Sequence, residues 1–446
     1  MSTDRQTVLK RQLQLIDGQS SDPSNPSLHK HRKMALSPFQ FFRGSAQLFY
    51  ADLASGVLTL PSLLAAKPGM TTIMGDCHLA NFGFLTEEGS QGDQVIFSPN
   101  DFDDACMGYA VWDIARFLTS VALVADLGRG ILDGRYISDG TDSASGSDYH
   151  APDNDAVVAA CRGFLHAYSD TLQKVIVDSD MRYKVLKKFP DEHTLYKTWR
   201  KACKRAAGGK DFLTKSQLAK STRFEDGVLR FVDDPEKYQV LAENEVKEVA
   251  AVFRPYLDDD ILDCVARLGA GTGSNNMERY YLLVGPEDLH SLDELAMCHI
   301  VEIKQQRQAA PIFAFPDISP VNKLNPAHLT ADCQRNMQRR PDLLLDEVVW
   351  RGKHWLVRSR HHARAALKPD QLVVTRKDPA IRLSEYAQSC GEALALAHSR
   401  GDRRSSRFEL FMLESLANYI DEMIEVCLNY SEQVIADHAL HVAMLD

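Results

Sequence analysis

Between Gly75 and Arg116 the chain reads GDCHLANFGFL and then NDFDDACMGYAVWDIAR, gathering Asp76, His78, Asn81, Asp101, Asp103, Asp104 and Asp113 into an otherwise apolar stretch. Carboxylates at the ends of buried strands are costly when unpaired, so cations or hydrogen bonds must hold them. These residue types suit phosphoryl transfer, which needs one carboxylate to accept the attacking hydroxyl's proton and further oxygens to hold magnesium against phosphates. Asp76 and Asn81 on one loop supply a base and a neutral metal ligand, and Asp101 and Asp103 on the next supply charged ones. His78 lies between them, either as a catalytic partner or as a prop for the loop. The same Asp-x-His pair would also serve a two-metal phosphoesterase, but that chemistry needs further ligands, and His361, His362 and His398 form no obvious set.

A second cluster follows roughly 200 residues later. Gly269, Gly271, Gly273 and Ser274 in the run GAGTGS let a backbone approach phosphates closely, and Lys304 lies two residues past Glu302 on the same face of a strand. A glycine loop followed by a strand lysine is a way to hold ATP.

The elements that position these residues can be read from periodicity. Thr71 to Met74 is a short buried strand running into Gly75; Val95 to Phe97 is a second, leading into Asp101; Val111 to Ala125 is an apolar helix. Phe39 to Leu53 has helical spacing, and residues 133–155, rich in Ser, Asp and Gly, read as an exposed loop. Residues 156–257 read as largely helical, with a basic run from Arg182 to Arg223 that is a solvated face or a lining of the acceptor site. Then Asp263–Leu268, Arg279–Val284 and Cys298–Lys304 form an antiparallel meander, extended by Val348–Val349 and Trp355–Arg358 with a helix, Pro326–Arg339, between. The chain ends in helices, Leu383–Arg400 and Arg407 to about Met444. The resulting division is a flexible tail over 1–35, a helical lobe with the catalytic and metal loops over 36–260, a sheet lobe over 261–370, and C-terminal helices over 371–446 that pack on the helical lobe.

At 446 residues, 44% hydrophobic and 25% charged, the chain is of ordinary globular composition. A net charge of −10 gives no general attraction to nucleic acid. No apolar run reaches the roughly 18 residues of a membrane span, so no membrane insertion is expected, and the polar start points to the cytoplasm. Nine cysteines without a CxxC pair read as reduced thiols, with Cys77 and Cys106 as small buried fillers.

GDCHLANF followed by NDFDDACMGYAVWDIAR resembles the catalytic and metal loops of the aminoglycoside phosphotransferase and choline kinase branch of the protein-kinase-like fold. That resemblance implies Asp76 as catalytic base, Asn81 and Asp101 as metal ligands, and Asp113 as a brace of the catalytic loop. Over nearly the full length after residue 35 the chain more closely resembles the bacterial domain-of-unknown-function family 2252, through SPFQFFRG, GDCHLANFG, NDFDDA, RLGAGTGS with Arg267, IVEIK and ALALAHSRGD. In ordinary kinases the glycine loop and lysine come before the catalytic loop; here they come after. The fold expected is therefore α+β, a two-lobed protein-kinase-like fold, circularly permuted, with a small antiparallel sheet lobe and a larger helical lobe. The helix at Leu383–Arg400 or that at Phe39–Leu53 would lead into the catalytic loop. The expected ligands are ATP, Mg²⁺ and an unidentified small-molecule or protein acceptor, with a non-catalytic nucleotide-binding pseudokinase as a further alternative. Lys304 would pair with Asp332 or Glu302. Arg43, in an apolar helix, would pair with Asp104, Asp113 or phosphate, and Trp112 is core.

Overall fold

The helix Ala110–Leu132 is apolar on almost every side, and it is buried over nearly its whole length at the centre of the larger half of the protein. In the computed structural model the described residues are 2–17, 29–137, 148–225, 227–269, 277–289, 291–402 and 405–445. Around that axis pack the helices Asn154–Val177, Pro379–Gly401 and Ile420–Ala443, each with one face buried. Gly391 lets the Pro379–Gly401 helix lie directly on the carbonyl of Phe164, where a side chain would collide. Four short strands border this core: β1 (Met70–Ile73), β2 (Phe82–Thr86), β3 (Val95–Pro99) and β4 (Cys106–Tyr109). β1 pairs with β4 and β2 with β3, both antiparallel.

The smaller half holds β5 (Thr222–Glu225), β6 (Val228–Phe231), β7 (Tyr238–Val240), β8 (Asp260–Arg267), β9 (Arg279–Gly285), β10 (His299–Gln306), β11 (Asp346–Trp350) and β12 (Lys353–Ser359). Six of them form one antiparallel sheet in the order β11-β12-β10-β9-β8-β7. The period of two decides what each face does. Val301 and Ile303 of β10, with Tyr280, Leu282 and Trp355, pack under the helix Glu243–Phe253 through Val249 and Phe253. Glu302 and Lys304 alternate with them and point the other way, into a cavity.

The structure departs from expectation in four places. The first 35 residues are not simply a flexible tail: Ser2–Asp17 is a helix with Leu9 and Leu13 buried. Its Arg5 donates two hydrogen bonds to Asp52, at 2.6 and 2.8 Å, and one from Nε to Asp437 at 2.9 Å. Residues 156–257 are not all helix, since β5, β6 and β7 fall within them; Phe212, Leu218, Leu229 and Phe231 share a core with Val265, Tyr281 and Leu283, so the sheet's own packing begins well before residue 261. The helix read over Phe39–Leu53 is broken at Ser45 into Pro38–Gly44 and Ala46–Ser55, and the C-terminal stretch is broken into Arg407–Ala417 and Ile420–Ala443. Part of the Ser, Asp and Gly-rich loop, 138–147, lies outside the described residues. All nine cysteines are free thiols, Cys77 and Cys106 fully buried, and Trp112 packs among Tyr50, Tyr109 and Phe315. No helix among the described residues is long and apolar enough to cross a membrane.

Candidate functional site

A cavity of about 340 Å³ lies between the acidic loops and the sheet. Asp76, His78, Asn81, Asp101 and Asp103 line it from one side, and Gly269, Glu302 and Lys304 from the other, so two segments roughly 200 residues apart in sequence share one wall. Gly271, Gly273 and Ser274 lie outside the described residues.

The acidic side is held by buried hydrogen bonds that converge on its first turn. Asp113, fully buried on the Ala110–Leu132 helix, accepts from the backbone N–H of Met74 at 2.6 Å and of Gly75 at 3.0 Å, and its Oδ2 lies 3.1 Å from His398 Nε2. His398 Nδ1 lies 2.8 Å from the Tyr168 hydroxyl, and Thr71 donates to the His398 carbonyl at 2.7 Å. The end of the Pro379–Gly401 helix is thereby fixed against β1. Gly75 has φ +73°, and a side chain there would strike the Asp104 carbonyl; only glycine lets the two acidic turns touch. The Asn81 side-chain amide donates to the Asp76 carbonyl at 2.9 Å, which leaves its oxygen for other partners, and the Asn100 N–H donates to the Asn81 carbonyl at 3.1 Å.

Asp76 is ion-paired with Arg116, a fully buried arginine one helical turn past Asp113 whose guanidinium lies 4.2 Å from the ring centre of Phe42. Burial lifts the Asp76 carboxyl to about 6, with Arg116 opposing and Asp104 and Asp101 reinforcing. His78 Nε2 is 3.6 Å from Asp76 Oδ2, beyond hydrogen-bond distance. Burial, with Arg43 and Arg116 nearby, lowers His78 far below the usual imidazole range, so it is neutral; its Nδ1 has no hydrogen-bond partner among the described residues.

On the sheet side the expected partners of Lys304 are both occupied elsewhere. Glu302 faces Arg358 across the β10–β12 pair, at 2.7 Å, and accepts from Arg279 at 3.0 Å; these guanidinium groups outweigh its burial and hold it far below the usual carboxylate range. Asp332 is turned to His328 and Arg335. Lys304 instead meets Asp103, from the second acidic loop. Burial lowers the lysine to about 7, Asp101 opposing and Arg358, Arg307 and Arg364 reinforcing. Asp104 receives Arg307 through both oxygens, at 2.7 and 3.0 Å, and the Ala310 N–H at 2.7 Å, so it is not the partner of Arg43. Nor is Asp113; Arg43 donates to Gln40 at 3.1 Å and lines the cavity.

Other sequence candidates lie away from the cavity. His361 is 2.9 Å from Glu88, His362 packs on Phe212, and His398 belongs to the Asp113 brace. The basic run is a solvated face: Lys187, Lys188, Arg200, Lys201 and Lys210 are exposed, and no residue of the run is in the cavity wall. The structure adds what the motifs did not show, namely Arg116 behind Asp76 and the wall arginines 279, 307, 358, 360 and 364. Arg358 and Arg360 carry the one available signal, alternation along and past the last strand.

Magnesium needs few protein oxygens when phosphates and waters complete its shell. Asn81 and Asp101, both in the wall, meet that need, whereas Asp103 is engaged by Lys304. Among the described residues no three His, Cys, Asp or Glu side chains converge as an all-protein metal cage.

The chain belongs to the family described as uncharacterized protein conserved in bacteria (DUF2252), which it matches over residues 26–129 and 146–444. No curated protein and no solved structure matches it.

Proposed function

We propose that this protein is an ATP- and magnesium-dependent phosphotransferase on a permuted protein-kinase-like fold, acting on a small-molecule or protein acceptor. The observation that carries the reading is the meeting of Lys304 with Asp103, which brings a lysine on the second strand after a glycine loop against a pair of acidic loops in one cavity. Lys304 and the backbone of Gly269 would grip the donor's phosphates. Asn81 and Asp101 would hold Mg²⁺, which when bound neutralises charge on those phosphates.

Asp76 is suited to take the acceptor's proton: it borders the cavity, Arg116 fixes its orientation, and a carboxyl near 6 is a competent base around neutral pH. In the transfer the acceptor oxygen bonds to the γ-phosphorus and the proton passes to Asp76. The bond from phosphorus to the bridging oxygen breaks, and ADP leaves with its electron pair. Asp113 and His398 act through the backbone of Met74 and Gly75, as positioning residues.

Single turnover with ATP labelled separately at the α and γ phosphorus tests this. Transfer of the γ label, lost in Asp76→Ala, supports it. Transfer of the α label would mean adenylylation, and tight Mg-ATP binding without turnover would mean a non-catalytic nucleotide binder.

A further inference from the structure

The cavity wall is unbalanced in charge: eight cationic side chains face five carboxylates. Four of those carboxylates are already claimed, Asp104 by Arg307, Glu302 by Arg279 and Arg358, Asp103 by Lys304, and Asp76 by Arg116 from behind the wall. Magnesium cancels about half of a triphosphate's charge, so the donor offsets part of the surplus and not all of it.

Part of the surplus lies on the side of Glu302 away from Lys304. Arg358 lies opposite Glu302 on β12, and the Arg360 N–H donates to the Ile300 carbonyl at 2.8 Å, so the arginines follow β10 away from the lysine. Arg360 donates to the Tyr281 hydroxyl and lies 4.9 Å from that ring's centre, yet its buried Nε has no partner among the described residues. Arg364 is exposed, lines the cavity, and has no carboxylate within ion-pair distance among the described residues. Apolar lining is scarce. Met277 and Tyr281 are the large side chains that provide any, and Arg360 covers Tyr281, so a flat uncharged ring finds little to stack on there. Planar guanidinium forks with unused donors match a phosphate.

We propose that Arg358, Arg360 and Arg364 form a second oxyanion subsite, which holds a phosphate group carried by the acceptor, so that the acceptor is itself a phosphorylated small molecule. The word acceptor rests on the phosphotransferase reading; the subsite does not. The test is isothermal titration of inorganic phosphate into the full chain, alone and after saturation with magnesium and a non-hydrolysable ATP analogue. Phosphate is expected to bind in both cases. Arg360→Gln and Arg364→Gln are each expected to weaken it about tenfold while changing affinity for the analogue less than about twofold. Arg364 loses no protein hydrogen bond among the described residues, so this variant is expected to melt like the wild type and keeps the test clear of misfolding. Displacement of phosphate by the analogue would assign the arginines to the donor and overturn the proposal. Equal phosphate binding by wild type and variants, an adventitious ion only, would also overturn it. If the analogue does not bind at all, the phosphotransferase reading fails, and the phosphate titration still decides the subsite.

Discussion

Asp113 and Glu302 are both buried carboxylates beside one cavity, yet they are satisfied in opposite ways. Asp113 takes two backbone N–H groups and a histidine, so its charge is spent on fixing the first acidic turn. Glu302 takes two arginines, each of which also faces the cavity. The first arrangement makes a rigid scaffold with no cation to spare; the second leaves positive charge available to a ligand. Asp76 stands between them, held by one buried arginine and still able to accept a proton.

The contrast can be broken most sharply at Asp76. Asp76→Asn keeps the shape and removes the base, and is expected to lower the rate of transfer by about 10²- to 10⁴-fold. Mg-ATP affinity, measured by titration, is expected to change little. Arg116→Met removes the cation behind that carboxylate and is expected to cost about 3–5 kcal/mol in urea unfolding at pH 8, the range for a broken buried pair. The loss is expected to shrink at pH 5, where Asp76 is protonated and no lone charge remains.

A carboxylate pair outside the cavity extends the comparison. Asp52 and Asp437 are held by Arg5, and Tyr430 also donates to Asp52 at 2.8 Å. Arg5→Ala is expected to cost about 2 kcal/mol, the scale of hydrogen bonds to charged groups, without altering the affinity for phosphate or nucleotide. The smallest effect is that of pH. Because burial raises Asp76 to about 6 in the folded protein, protonation below that value removes the base, and transfer is expected to fall about tenfold per unit beneath it. The same shift has the opposite sign for stability, since the group favours folding less as pH rises from about 4 to about 6 and the buried charge forms.

How much of this was legible follows from how far apart the cooperating residues lie. The acidic turns and Lys304 sit in short motifs bounded by apolar strands, so their types and spacing were enough to single out residues that line one cavity. The partner of Lys304 was not, because Asp103 is separated from it by 201 residues, and the nearer candidates Glu302 and Asp332 are drawn off by arginines and a histidine. The first helix read as a polar tail, because it is fixed by an arginine whose partners lie 47 and 432 residues away. The strands of residues 222–240 are short, and two of them alternate only once or twice between buried and exposed positions, too little for periodicity to register. Arg116 was concealed by its setting, as an arginine in an apolar helix reads as an exposed exception until its carboxylate partner is seen.

The bonds from Arg5 have a further consequence for how the chain could be rewired. They tie the first helix to the last, so Arg5 and Asp437 are neighbours in space. Between Ala206, which packs with the large core, and Phe212, which packs with the sheet, the chain passes through Gly208 and Gly209. Joining the first and last helices with a linker and opening the chain at those glycines would produce a polypeptide that begins with the sheet and reaches the acidic loops after it. Every hydrogen bond of the cavity wall would survive that change of order, because none of them runs along the backbone at either joint.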